Sequence, residues 1–168
     1  MSKEEGKYWL VRLLADAAIT VAVVLILFRV LFNIVIIDGN SMLPTFRDGS
    51  IIITQCQFVD LERGDIVVCD TDGYDGAIVK RVIAVEGDTL DIDFDTGDVT
   101  LNGEVLDEPY IREATHQNMG TQFPLVVEEG HVFVMGDNRN NSLDSRSPDV
   151  GQIDQDDVRG KYLFSIVR

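Results

Sequence analysis

A charge-free apolar run near the N-terminus constrains this chain more than any other feature. The segment "AAITVAVVLILF", Ala17 to Phe28, holds no charged residue, and "RVLFNIVII" extends it to Ile37 with Arg29 as the one charged interruption. About 20 mainly apolar residues in a helix cross a bilayer. A buried core helix is one alternative, but such helices show polar residues at helical spacing, and this run has almost none. A cleaved leader is another, but it needs a small-residue cleavage site, and "VIIDGNS" is branched and bulky. The run reads as a retained anchor within Leu10 to Phe32. Asp16 and Arg29 sit near its ends, where a long side chain such as Arg29 can snorkel to the interface. Lys3, Lys7 and Arg12 precede it and only Arg29 lies at its far end, which favours a cytoplasmic N-terminus. The expected organisation is a cytoplasmic segment over 1–12, a single-pass anchor in the cell membrane over 13–34 and an extracytoplasmic β-rich domain over 35–168.

That outer part carries 26 acids against 10 bases, and its only lysines are Lys80 and Lys161. Duplex nucleic acid is excluded as a partner, because phosphate binding needs a basic surface. The acidity reads as a solvated surface. The runs "IIIT", "DIVVCD", "AIVKRVIAVEG", "TLDIDFD", "DVTLNGEVL", "HVFVMGD" and "KYLFSIV" are short, rich in Val, Ile and Phe, and separated by turn signals such as "RDG", "TDG", "TGD" and "NG". They predict a mainly β domain, an antiparallel sandwich or open barrel. The stretch "REATHQNMGTQFP" reads as a loop or flap.

Ser41 lies just beyond the anchor in the turn-rich peptide "IIDGNSMLPTFRDGS". A serine hydroxyl is a poor nucleophile until a base takes its proton. His116 lies in the irregular loop and His131 at a strand start; neither has a motif around it, and both read as structural. They also lack metal-ligand spacing with Cys56 and Cys69, so no metal site is expected. Lys80 is the other candidate base. It interrupts the branched apolar strand "AIVKRVIAV", where burial lowers a lysine pKa toward neutrality. Strand alternation points Lys80 and Arg81 to opposite faces. A solvated lysine on an edge strand is the plainer alternative. The polar island "GDNRNNSLDSR", Gly136 to Arg146, follows the apolar "HVFVM". It reads either as a surface loop or as an active-site rim with a fixed hydrogen-bond network.

Taken together and in this order, "GNSMLPTF", "GDIVV", "VKRVIAVEGD", "LNGEVLDEPYI" and "GDNRNNSLDSR" resemble type I signal peptidases of the short Gram-positive form. These are membrane-bound Ser/Lys proteases that remove secretory signal peptides. The resemblance runs from the apolar segment to "GKYLFSIVR". It implies that Ser41 is the nucleophile, Lys80 the general base, and Ser142 the residue that hydrogen-bonds and orients the lysine amine. The Ser41 backbone N–H would serve the oxyanion hole. Gly39 stands where some members carry a second, serine donor. Asp137, Asp144 and Arg146 would brace the site through ion pairs, Arg81 joining with Asp137, and Met42 and Pro44 would shape the turn that presents Ser41.

The resemblance also implies cleavage after Ala-x-Ala-like sites, with secretory preproteins, the lipid bilayer and the neighbourhood of the secretion translocon as partners, and no cofactor. Alternatives are an inactive membrane-anchored scaffold and a Ser/Lys protease with another substrate. Cys56 and Cys69 are expected as free thiols.

Overall fold

The computed structural model describes residues 3–57, 60–71 and 76–167. Of the turn signals, Asp72 and Gly73 of "TDG" lie outside the described residues. The chain opens with α1 (Lys3–Leu31). Eleven strands follow: β1 (Phe32–Ile36), β2 (Ile51–Gln55), β3 (Ile66–Cys69), β4 (Ile78–Val85), β5 (Thr89–Ile92), β6 (Val99–Leu101), β7 (Glu104–Val105), β8 (Leu125–Val126), β9 (His131–Met135), β10 (Ile153–Asp154) and β11 (Val158–Val167).

Within α1, Val11–Leu31 is apolar enough to cross a membrane, with a mean hydropathy of 2.3 and none of it buried. At 1.5 Å per residue those 21 residues extend about 32 Å, close to a hydrocarbon core of about 30 Å. Leu25, Ile26, Leu27 and Phe28 all stand exposed, as a helix meant for lipid should leave them. This is consistent with membrane anchoring. The helix ends earlier than the sequence reading placed the anchor. Phe32, Asn33 and Ile34 belong to β1, which pairs antiparallel with β2 from Phe32 opposite Gln55 to Ile36 opposite Ile51. The branched residues Ile34, Val35 and Ile36 suit that ladder, and Cys56 N–H donates to the Leu31 carbonyl at 2.9 Å as the helix hands over.

The strands form two antiparallel sheets. The larger is an open half-barrel of seven strands in the order β1-β2-β11-β3-β4-β9-β10, and the smaller has four in the order β7-β6-β5-β8. The mainly β, antiparallel architecture is the one expected. The hairpin between β6 and β7 turns at Asn102 and Gly103, with φ of 53° and 87°. Asn-Gly accepts positive φ at both central positions, as a two-residue hairpin requires.

A bulge in β4 between Val82 and Ala84 decides what the strand faces. Before it, Ile78 and Val82 bury against Val67, Cys69, Val132 and Val134. After it, Ile83 and Ala84 both join Leu90, Val99, Leu101 and Phe133 in the core shared with the smaller sheet. Lys80 shares a strand face with Ile78 and Val82, so it enters an apolar setting. A third cluster of Ile37, Met42, Phe46, Ile52, Ile66 and Val68 lies under the Ser41 turn.

Candidate active site

The Ser41 turn is held from both sides. Ile37 N–H donates to Ser50 O at 2.8 Å and Gly49 N–H to Ile37 O at 2.9 Å, closing the base of the loop. Gly39, at φ 92°, donates its N–H to Asp48 Oδ1 at 2.9 Å. One helical turn follows, with Phe46 N–H on Met42 O at 2.8 Å. Met42 and Phe46 are fully buried anchors. Ser41 itself stays partly open, and among the described residues its backbone N–H has no acceptor.

Lys80 is 4% exposed. Its Nζ lies 2.8 Å from Ser41 Oγ and 3.0 Å from the Val79 carbonyl. Burial lowers its pKa below the ordinary amine value; the charges of Asp144 and Asp137 oppose that shift and Arg146 adds to it. Burial dominates because Asp137 and Asp144 are each already engaged by an arginine. The same burial pushes the Cys69 thiol up to about 12, so the thiol stays protonated. Cys56 and Cys69 are both free.

Arg81 points away from Lys80, as alternation predicts. Its guanidinium grips Asp137 through Nε at 2.8 Å and Nη2 at 2.7 Å, and it stacks over the Tyr110 ring at 4.1 Å. Asp137 also accepts from Thr45 Oγ1, in the Ser41 turn. Asp144 and Arg146, both 0% exposed, pair at 2.8 Å. Asp144 takes the Gly136 N–H at 2.9 Å, and Arg146 reaches the Arg139 carbonyl at 2.6 Å. Sequence reasoning named these ion-pairing residues; Asp137, Asp144 and Arg146 lie on the loop that follows β9, and Arg81 reaches Asp137 from β4.

Ser142 lines the same cleft as Ser41 and Lys80. Its hydroxyl is buried and, among the described residues, has no hydrogen-bond partner. The expected bond from Ser142 to the Lys80 amine is therefore not made here; Lys80 uses Val79 O instead. An unpaired buried hydroxyl is costly to leave unsatisfied, and it sits where an incoming group can meet it.

Several contributors escaped the sequence reading. Asn138 N–H donates to Ser41 O, and its side chain to Asn40 O, both at 2.9 Å. Arg139, fully buried, pairs with Glu108 at 2.6 and 2.8 Å and donates to Thr115 Oγ1 and Gly136 O. Glu108 also accepts from Tyr110 OH at 2.9 Å. The motifs "DEPYI" and "GDNRNNSLDSR" contain these residues, but nothing in either string says that the two meet. His116 Nδ1 lies 3.0 Å from Phe94 O and His131 Nδ1 lies 2.8 Å from Glu129 O, and neither lines the cleft. Pro44 lines a separate recess together with Leu43, Thr45 and Arg47 and is not among the residues that line the cleft.

The cleft has a volume of about 490 Å³. Its walls are Val35 to Met42 on one side and Gly76 to Lys80 on the other, with Asn141, Ser142 and Leu143 closing it. A cleft with both polar and apolar walls, holding the Ser41 and Ser142 hydroxyls, a buried amine and an unused backbone N–H, suits an extended peptide and acyl transfer.

Residues 10–167 match the family described as signal peptidase, peptidase S26. A signal peptidase I of Bacillus licheniformis is 38% identical over 159 residues, covering 88% of this chain and 84% of that protein. A probable signal peptidase I-1 of Synechocystis is 39% identical over 140 residues, covering 76% and 67%. A crystal structure of a signal peptidase I from Enterococcus faecalis superposes with a TM-score of 0.51 at 29% identity, covering 63% of this chain and 98% of that one.

Proposed function

The chain belongs to the S26 signal peptidases, and from that premise we propose that it removes N-terminal signal peptides from secreted preproteins through a Ser41–Lys80 dyad. The observation that carries this reading is the 2.8 Å approach of Lys80 Nζ to Ser41 Oγ, made by an amine with 4% exposure. Burial favours the neutral amine. With one N–H on the Val79 carbonyl, such an amine keeps its lone pair for the Ser41 proton.

In acylation, Lys80 takes the Ser41 proton as Oγ bonds to the substrate carbonyl carbon. The developing oxyanion meets the Ser41 N–H. The C–N bond then breaks and Lys80 returns the proton to the leaving amine. In deacylation, Lys80 takes a proton from water, the hydroxide attacks the ester, and Ser41 leaves with the proton returned. Ser142 lines the cleft with the lysine, and its unpartnered hydroxyl is the group we assign to orient the amine. Asp137, gripped by Arg81 from β4 and accepting from Thr45, ties the Ser41 turn to the loop after β9, and Arg146–Asp144 braces that loop internally, with Met42 buried beneath the turn.

The substrate lies extended in the cleft, pairing with backbone at its edges. Its small pockets favour Ala-x-Ala-like residues before the cut. We infer a cytoplasmic N-terminus over 1–12, an anchor over 13–34 and an extracytoplasmic domain over 35–168, working close to the translocon that delivers preproteins. Anchor and substrate then share one membrane plane, which raises their effective concentration. Cleavage of a preprotein by the purified, detergent-solubilised enzyme tests the reading, with Ser41→Ala as the control and N-terminal sequencing of the product. A Ser41→Ala enzyme that cleaves as well as the wild type overturns it.

A further inference from the structure

The peptide must leave the cleft on the far side of Ser41. From Ser41 the apolar walls run back along β1, and a recess of about 340 Å³, lined by Asn33, Thr54 and Arg159 among others, continues them toward the end of α1. The apolar part of a signal peptide shares the bilayer with α1, so it occupies that direction. The residues after the scissile bond then cross the turn at Leu43, Pro44, Thr45 and Arg47, which line a separate recess of about 450 Å³.

Arg47 stands out there by its charge. In the described part of the domain, Arg63, Arg81, Arg139, Arg146, Arg159 and Lys161 each pair with a carboxylate. Lys80 is spent on Ser41. Lys80 aside, among the described residues after α1 only Arg47 and Arg112 lack such a partner. Among the described residues no carboxylate forms an ion pair with Arg47; Asp48 takes the Gly39 N–H, and Asp137 is held by Arg81 and Thr45. A domain with this excess of acid therefore presents an unpaired cation on the turn that carries Ser41, in a recess that begins one residue past the cleft wall at Met42.

We propose that Arg47 forms a subsite on the mature-protein side of the cut, selecting substrates with an acidic side chain shortly after the scissile bond. This rests on the Ser41–Lys80 reading. Arg47 is exposed, so the pair it makes is a modest one, weakened by salt. The subsite tunes the rate among preproteins and leaves recognition of the signal peptide to the apolar cleft.

The test is a set of peptides identical before the cut, with Glu, Gln or Lys placed in turn at the first four positions after it. The full-length enzyme in detergent micelles is assayed for kcat/KM, and each variant's thermal midpoint is checked. Wild type should prefer Glu over Gln at one or two adjacent positions by about two- to fivefold, the range of an exposed ion pair. Salt at about 0.5 M should reduce the preference. Arg47→Gln should abolish it, Arg47→Glu should favour Lys, and Arg112→Gln should leave it as in wild type. Equal rates on the Glu, Gln and Lys peptides, with Ser41-dependent cleavage intact, overturn the subsite alone. So does a wild-type order that survives in Arg47→Glu. Absence of Ser41-dependent cleavage of every peptide removes the protease reading and the subsite with it.

Discussion

Asn138 donates its backbone N–H to the Ser41 carbonyl at 2.9 Å, so the loop after β9 is tied directly to the turn that presents the serine. Gly136 makes that approach possible. A β-carbon there would stand 2.2 Å from Ser142 Oγ and 2.6 Å from Ser41 O. Gly136→Ala should therefore push Ser41 and Ser142 apart. Overpacking of this kind costs about 1–3 kcal/mol. The expected outcome is a lower thermal midpoint together with a loss of kcat/KM of tenfold or more. A variant with wild-type midpoint and rate would show that the two loops do not need this contact.

Glu108 is the carboxylate facing the buried guanidinium of Arg139. Removing one member of a buried pair leaves the other uncompensated, at about 3–5 kcal/mol. Urea unfolding of Glu108→Ala should show a loss on that scale. Arg159→Ala breaks an ion pair whose members are both more than 40% exposed, and should cost about 1 kcal/mol or less. Equal losses in the two variants would contradict the assignment of burial as the cause.

Much of this was legible beforehand. All seven apolar runs became strands, because alternation and turn chemistry act locally. Helix α1 ends at Leu31, and hydropathy does not distinguish the branched residues of β1 from the helix before them. Only their pairing with β2 does. β8 and β10, two residues each, exist through pairing and have no pattern of their own. At the site, the motifs single out Ser41 and Lys80, whose Oγ and Nζ lie 2.8 Å apart, and Asp137 and Asp144, which pair with Arg81 and Arg146. The Glu108–Arg139 latch and the hold of Asn138 on residues 40–41 join distant segments, and composition carries no trace of such contacts. Ser142 lines the cleft, and its expected bond to Lys80 is not made.

The histidines provide a negative control. His116 and His131 bond to carbonyls outside the cleft. His116→Ala and His131→Ala should keep most of the activity on a preprotein. A loss of about 100-fold or more in either folded variant, the scale of a missing general base, would favour a Ser/His mechanism.

Orientation is tested on sealed cells. Protease added outside should reach the domain after α1, because the bases before the apolar run outnumber the one at its end. Protection of that domain in intact cells, with digestion only after lysis, would reverse the topology.

Lys80 offers the sharpest test. Its folded pKa lies below the ordinary value of 10.5, chiefly because burial penalises the ammonium. The unfolded chain therefore holds this proton to higher pH than the folded one. Stability should rise with pH from the folded pKa up to about 10.4, the unfolded value. The neutral amine is also the active form, so kcat/KM should rise with pH through the same folded pKa of the free enzyme. Lys80→Arg should be inert at every pH in this range, because a guanidinium does not give up its proton. Lys80→Ala should be inactive yet folded, since it removes a desolvated amine and leaves Ile78 and Val82 in the core. Ser142→Ala should lose less than Lys80→Ala, because it accepts no proton. The measurements are pH–rate and pH–stability profiles of the wild type, and single-turnover rates of the three variants with circular dichroism to check folding. A folded Lys80→Ala enzyme that cleaves preprotein near the wild-type rate would end the case for the Ser41–Lys80 dyad, because no other amine among the described residues approaches the Ser41 hydroxyl.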